Sequence, residues 1–233
     1  MYLINPSYEI LTEIDATRIL KKLELAGRVC YKSEDKISDD SAPKFCRMVL
    51  NRNHESVIEH ESLTIKFIVS RSFTHELVRH RLASFSQEST RYCNYNKKGL
   101  TFIIPTWLNI EPGEYICKIS PYLFGHLFKI NGEDWTNVKT DLRYFIEYLH
   151  GIEHLYSQYI NNKKSPQEAR AILPNCLKTE IVMSANLREW KHVLTLRTDK
   201  SAHPEMRQIM IPLLEELKEK IPVIFDGINN TES

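Results

Sequence analysis

The chain has 233 residues, 42% of them hydrophobic, which is enough for one sizeable core and fits one domain better than two. Lys and Arg total 31 against 30 Asp and Glu, so the basic excess of a nonspecific nucleic-acid binder is missing. Five scattered cysteines (Cys30, Cys46, Cys93, Cys117, Cys176) form no Cys-x-x-Cys pair, which argues against a disulfide framework or a zinc ribbon and fits a reducing cytoplasm.

Met1 to Ile10 lacks the basic-then-apolar order of a secretory signal, and no apolar run reaches membrane-span length. The sequon Asn229-Asn230-Thr231 therefore reads as chance. Seven glycines make no Gly-x-Gly-x-x-Gly and no Walker-type loop, so side chains would have to hold the phosphates of any bound dinucleotide.

Along the chain, Asp15 caps a predicted helix to about Val29, with Ile19, Leu20, Leu23 and Ala26 on one face. Ser41 to Asn51 reads as a second helix, and His54 to His60 as a polar turn. From Ser62 to Val69, Leu63, Ile65, Phe67 and Val69 alternate with polar residues, the pattern of a half-buried strand. Ser72 is placed to cap a short helix through about Arg79, on which Glu76 shares a face with Arg79 and His80.

Thr101 to Ile104 reads as a short strand ended by Pro105, and Asp141 to about Ile160 as a long helix. Ser165-Pro166-Gln167-Glu168 combines a serine cap, a first-turn proline and a capping-box glutamate. A strand over Thr179–Ala185 and helices over Leu187–Thr198 and Pro204–Lys220 follow, then a polar tail from Asp226 that is expected to fray. Helices with a few non-repeating strands predict an α+β fold, a single domain over residues 1–225 with a small sheet packed by long helices.

The densest chemistry lies in Arg79-His80-Arg81-Leu82-Ala83-Ser84-Phe85-Ser86-Gln87-Glu88-Ser89-Thr90-Arg91-Tyr92. Three arginines and a histidine this close repel one another unless an anion sits among them, and the guanidinium fork fits phosphate oxygens. A solvated helix face, or a patch of Arg71, Arg79, Arg81 and Arg91 binding nucleic acid without catalysis, is the alternative. Leu82, Ala83 and Phe85 interrupt the run, so it is not expected to face solvent throughout. Zinc held by His54 and His60 is disfavoured, because a metal-binding helix needs its histidines four apart and these are six apart.

Arg79-His80-Arg81, seven residues, then Ser89-x-Arg91-Tyr92 resembles the signature of the flavin-dependent thymidylate synthases. The likeness runs from roughly Arg28 to Phe225 and is weakest between about Leu100 and Lys164. It implies methylation of dUMP to dTMP, with methylenetetrahydrofolate as carbon donor and NADPH-reduced FAD as hydride source, in a homotetramer whose sites are shared between subunits. Neither a nucleic-acid nor a membrane partner is expected.

By resemblance, FAD would be contacted by Ser56, Arg79, His80, Arg81, Gln87, Asn186, Leu187, Arg188 and His192, with His54 and Glu59 as weaker candidates for the same wall. The dUMP site would take Glu76, Leu77, Val78, Arg79, Gln87, Glu88, Ser89, Thr90 and Arg91. Arg170 would neutralise the phosphate, and Arg197 would stabilise charge developing on the uracil. Glu76 stands where relatives often carry glutamine, and a carboxylate there needs Arg79 as its partner or a role in ring hydrogen bonding. Ser89 is either a ligand contact or a nucleophile, and a serine hydroxyl needs an adjacent base for the second role. The nearest in sequence is His80.

Overall fold

A computed structural model describes residues 1–120, 125–134 and 139–228. The sequon lies outside them. The elements are β1 (Tyr2–Ile4), β2 (Ser7–Ile10), α1 (Ala16–Tyr31), α2 (Ser41–Asn51), β3 (Ser62–Ser70), α3 (Arg71–Leu77), β4 (Ala83–Gln87), β5 (Thr101–Ile103), β6 (Gly113–Ser120), β7 (Gly125–Ile130) and β8 (Glu133–Asp134). They continue as α4 (Thr140–Asn161), α5 (Pro166–Ala169), β9 (Lys178–Asn186), α6 (Leu187–Thr198), α7 (Pro204–Lys220) and α8 (Pro222–Phe225). The class is α+β, as expected. The chain forms two compact units, each assembled from separate stretches: Met1–Ser7, Ile68–His75 and Gln87–Ile181 in one, the remainder in the other.

The first unit carries a five-stranded sheet of order β5-β1-β6-β7-β8. β1 runs parallel to β5 and antiparallel to β6, pairing Leu3 with Phe102 and Gly113. Leu3, Phe102 and Tyr115 from this sheet form one core with Ile146, Leu149 and Tyr156, the inward stripe of α4. α4 begins one residue before its expected start and ends one residue after its expected end. Ser165 and Glu168 form the predicted capping box, but the helix it opens is only four residues long and passes into a 3₁₀ turn at Arg170. α3 starts at Arg71, not after Ser72, because the Ser70 hydroxyl accepts the Phe73 N–H at 3.1 Å and so does the capping.

Most residues of the four-stranded sheet of order β2-β3-β9-β4 lie in the second unit. Leu63, Ile65 and Phe67 are fully buried on β3, as their alternation predicts. On β9, Met183 and Ala185 point the same way, into the core. α6 lies over this face through Trp190, whose indole N–H donates to the Leu63 carbonyl at 3.0 Å. Leu213, Leu214 and Leu217 bury the inner stripe of α7.

α1 ends two residues beyond its predicted end, and the Asp15 carboxylate accepts the Arg18 N–H as its cap. Gly27 allows α1 to approach α2, since a Cβ there would lie 2.6 Å from the Phe45 ring. The tail does not fray from its first residue: Asp226 pairs with Arg47 at 3.2 Å and Ile228 is buried.

Candidate functional site

In the second unit an open cavity of about 1250 Å³ is lined by the first turns of α6, by α2, by the turn preceding β3 and by α8. That exceeds the usual several hundred cubic ångströms of a drug-sized pocket, so it has room for an extended ligand. Asn186, Arg188, Lys191 and His192 supply its polar wall, and Leu50, Leu82, Val223 and Ile224 its apolar one. Asn186 is held in place as the α6 cap, its side-chain oxygen accepting the Glu189 N–H at 2.9 Å.

Each cation of this wall meets a carboxylate of the chain. Arg188 donates to Glu59 at 2.6 Å and lies 3.6 Å from Glu55, while Lys191 pairs with Glu55 and Arg47 with Asp226. A diphosphate entering here would exchange with these carboxylates rather than meet bare cations.

Behind the wall, Arg197 near the end of α6 reaches the end of α3. Its Nε donates to His80 Nε2 at 3.0 Å, one terminal nitrogen donates to Glu76 Oε2 at 2.8 Å and the other to the Glu76 carbonyl at 3.1 Å. The partner of Glu76 is therefore Arg197 and not Arg79, a correction that follows from α3 ending at Leu77, before it can carry Arg79 onto the same face. Of the five N–H donors on a guanidinium, these bonds use three, leaving two for a ligand.

Burial, then the charge of Arg197 and then that of His192, push the His80 imidazole down from 6.5 to about 4. The His192 ring stands edge-on to it, with centroids 5.7 Å apart. His80 and Arg197, 117 residues apart, are brought together by the fold.

The first unit holds a second group. Glu88 accepts from the Tyr95 hydroxyl at 2.9 Å, from Lys178 at 3.2 Å and from the Glu180 N–H at 3.2 Å. Both of its oxygens are engaged, so its side chain anchors the loop. Gln87 donates to Thr74 and Thr179, and Arg71 to the Glu88 carbonyl. The following turn is folded on Ser89, whose hydroxyl accepts the Arg91 N–H at 3.3 Å. Thr90 is buried, and exposed Arg91 donates to Gln167.

Arg79, Arg81 and Arg170 are exposed and have no side-chain partner among the described residues. Leu77 and Leu187 are fully buried, so only their backbone is available to a ligand, and Val78 is exposed. Ser56 is exposed in a 3₁₀ turn whose neighbours Glu55 and Glu59 line the cavity. Leu82 is 76% exposed at the cavity, while His80 and Thr90 are buried, so the run does not face solvent throughout. The run also contains a strand, β4, that its mixed polarity concealed. Sequence reasoning missed Lys191 and Glu189. A glutamate in a first helical turn is ordinarily explained by the helix dipole, and only its burial marks it out.

Residues 14–223 match the family described as thymidylate synthase complementing protein. The chain belongs to this family. Among curated relatives, the flavin-dependent thymidylate synthase of Corynebacterium efficiens is 32% identical over 224 residues, covering 95% of this chain and 84% of the relative. The enzyme of the same description from Mycobacterium avium is 30% identical, covering 96% and 84%. Among solved structures, Helicobacter pylori thymidylate synthase X with FAD and dUMP superposes with a TM-score of 0.69 at 20% identity, covering 96% of this chain and 98% of that one. The UMP/dUMP methylase PolB of Streptomyces cacaoi, bound with 5-Br dUMP, gives 0.72 at 22% identity, covering 97% and 96%. These two likenesses carry the fold. Among the described residues no helix is long and apolar enough to cross a membrane.

Proposed function

We infer that this chain is a flavin-dependent thymidylate synthase, converting dUMP, methylenetetrahydrofolate and NADPH with one proton to dTMP, tetrahydrofolate and NADP⁺. The observation that carries this reading is the coincidence of the Arg79-His80-Arg81 to Tyr92 signature with a cavity whose wall holds Asn186, Arg188 and His192. FAD fits that cavity in size and in donor set: Arg188 and Lys191 are cations suited to a diphosphate, and the apolar wall suits a ring system. When bound, FAD supplies the hydride chemistry that no side chain can.

The chain's own residues bind, orient and polarise. Ser56, Arg79, His80, Arg81, Gln87, Asn186, Arg188 and His192 are assigned to FAD, together with the backbone of Leu187. Ser89, Thr90, Arg91 and Arg170 are assigned to dUMP, the Arg170 guanidinium having no side-chain partner among the described residues to compete with its phosphate. Glu76, Leu77, Val78, Gln87 and Glu88 shape the dUMP site, Leu77 through its backbone and Glu88 by holding the loop. Arg197 is assigned to the uracil: the two N–H groups left over from its bonds to His80 and Glu76 would meet the negative charge that grows there.

Ser89 acts as a ligand contact. His80 cannot serve as its base, because Nε2 accepts from Arg197 and a neutral imidazole then carries its proton on Nδ1. A homotetramer with shared sites, in the cytoplasm, completes the proposal.

The test is direct. Purified protein should take up FAD in stoichiometric amount, show flavin absorption, and form dTMP from the three substrates. A colourless protein that ignores added FAD refutes the reading.

A further inference from the structure

Glu189 is a buried charge at the cavity that the reading above leaves without a task. It is 6% exposed, lies in the first turn of α6 and lines the cavity. The α6 N-terminus stabilises its carboxylate. His80 Nδ1 lies 3.5 Å from Glu189 Oε1, and one potential ligand atom each of His80, Glu189 and His192 lie within 4.8 Å of one another.

Such a trio would suit a metal ion, but the hydrogen bond from Arg197 argues otherwise. Arginine only donates, so His80 Nε2 must be an acceptor and carry no proton. A neutral imidazole then has its proton on Nδ1, the atom that faces Glu189, and has no lone pair there for a metal. Burial and the Arg197 charge independently keep a second proton off the ring.

We propose that Glu189 is a positioning residue: its carboxylate holds the His80 proton on Nδ1, so that Nε2 remains a fixed acceptor for Arg197. The proton is pulled towards Nδ1 by the anion and kept off Nε2 by the guanidinium. With Glu76 holding the other end, the plane of Arg197 is fixed and its two unspent N–H groups keep one direction. In the other tautomer, Nε2–H would meet Nε–H, and Arg197 would have to swing away from His80. The inference rests on the proposed function for what Arg197 does, though not for the tautomer itself.

The experiment uses FAD-loaded protein labelled with ¹⁵N-histidine, with the His80 signals assigned by their loss in His80→Asn. The imidazole nitrogen shifts of His80 should report a neutral Nδ1–H ring at neutral pH. Glu189→Leu should move the pattern towards mixed tautomers and lower kcat for dTMP by about tenfold, while KM for dUMP stays within about twofold. Glu189→Gln, whose amide oxygen can take the place of the carboxylate oxygen facing Nδ1–H, should keep the wild-type pattern and most of the turnover.

A wild-type His80 found as Nε2–H or as imidazolium overturns the proposal, and this measurement stands even if Glu189→Leu does not fold. So does a Glu189→Leu protein with unchanged tautomer and unchanged turnover, or a Glu189→Gln protein as impaired as Glu189→Leu with its tautomer intact. If no dTMP forms while the tautomer follows Glu189 as stated, the proposed function fails and the positioning role stands.

Discussion

Arg197→Ala separates a catalytic arginine from a structural one, because the two predictions differ in size. Arg197 pairs with Glu76 at 2.8 Å, with the two side chains 18% and 38% exposed. An ion pair this close to solvent is worth about 1 kcal/mol at most, and the bond to His80 contributes about as much. The variant should therefore lose about 2 kcal/mol of stability. In a chain of this length that lowers Tm by roughly 4–8 °C and leaves the protein folded at 25 °C, given a typical stability of about 5–15 kcal/mol.

Loss of a cation aimed at charge developing in the transition state costs about 100- to 1,000-fold in turnover. Stability cannot account for a deficit of that size at 25 °C. The assay is dTMP formation at saturating substrates, beside FAD binding by absorbance and Tm by calorimetry. Turnover should fall by two to three orders of magnitude with FAD binding within a fewfold of wild type. Arg197→Lys keeps the charge but lacks the fork that serves His80 and Glu76 together, so it should recover only part of the rate. Equal losses of FAD binding and turnover would refute the catalytic assignment.

Ser89→Ala should weaken dUMP binding yet leave measurable dTMP synthesis. Abolished turnover with dUMP affinity intact would restore the nucleophile. His80 is neutral when folded down to about pH 4 but takes a proton near 6.5 when unfolded, so its contribution is complete above pH 6.5 and is lost as pH falls through about 4. The effect is on the order of 3 kcal/mol, and denaturant titrations of His80→Asn should show a correspondingly shallower acid limb between those values. Arg81→Ala and Arg197→Ala proteins, each inactive, should regain activity when subunits are exchanged between them. Full activity from a species of monomeric mass by light scattering would end the shared-site proposal.

Elements with a repeating pattern or a strong cap were legible from the residues. α2, α6 and α7 have the predicted bounds, because Asn186 and the proline at 204 mark starts that local hydrogen bonding and backbone geometry enforce wherever the helix packs. The alternation of Leu63, Ile65 and Phe67 likewise encodes one buried face of β3. The signature supplied the family and the arginines because their types and spacing are themselves the information.

Partnership between residues far apart was not legible, because attraction depends on distance in space, and no periodicity records it. Glu76 looked like a partner for Arg79 three residues away. It belongs to Arg197, 121 residues on, because α3 stops at Leu77 and α6 returns its last turn to that place. The partners of Glu88, Tyr95, Lys178 and the Glu180 backbone, are likewise set by tertiary structure. β1, β2 and β4 are three to five residues long and gain their strand geometry from neighbours in a sheet, not from their own pattern. Tertiary structure alone buried Glu189 against His80, and through that contact decided which nitrogen faces Arg197.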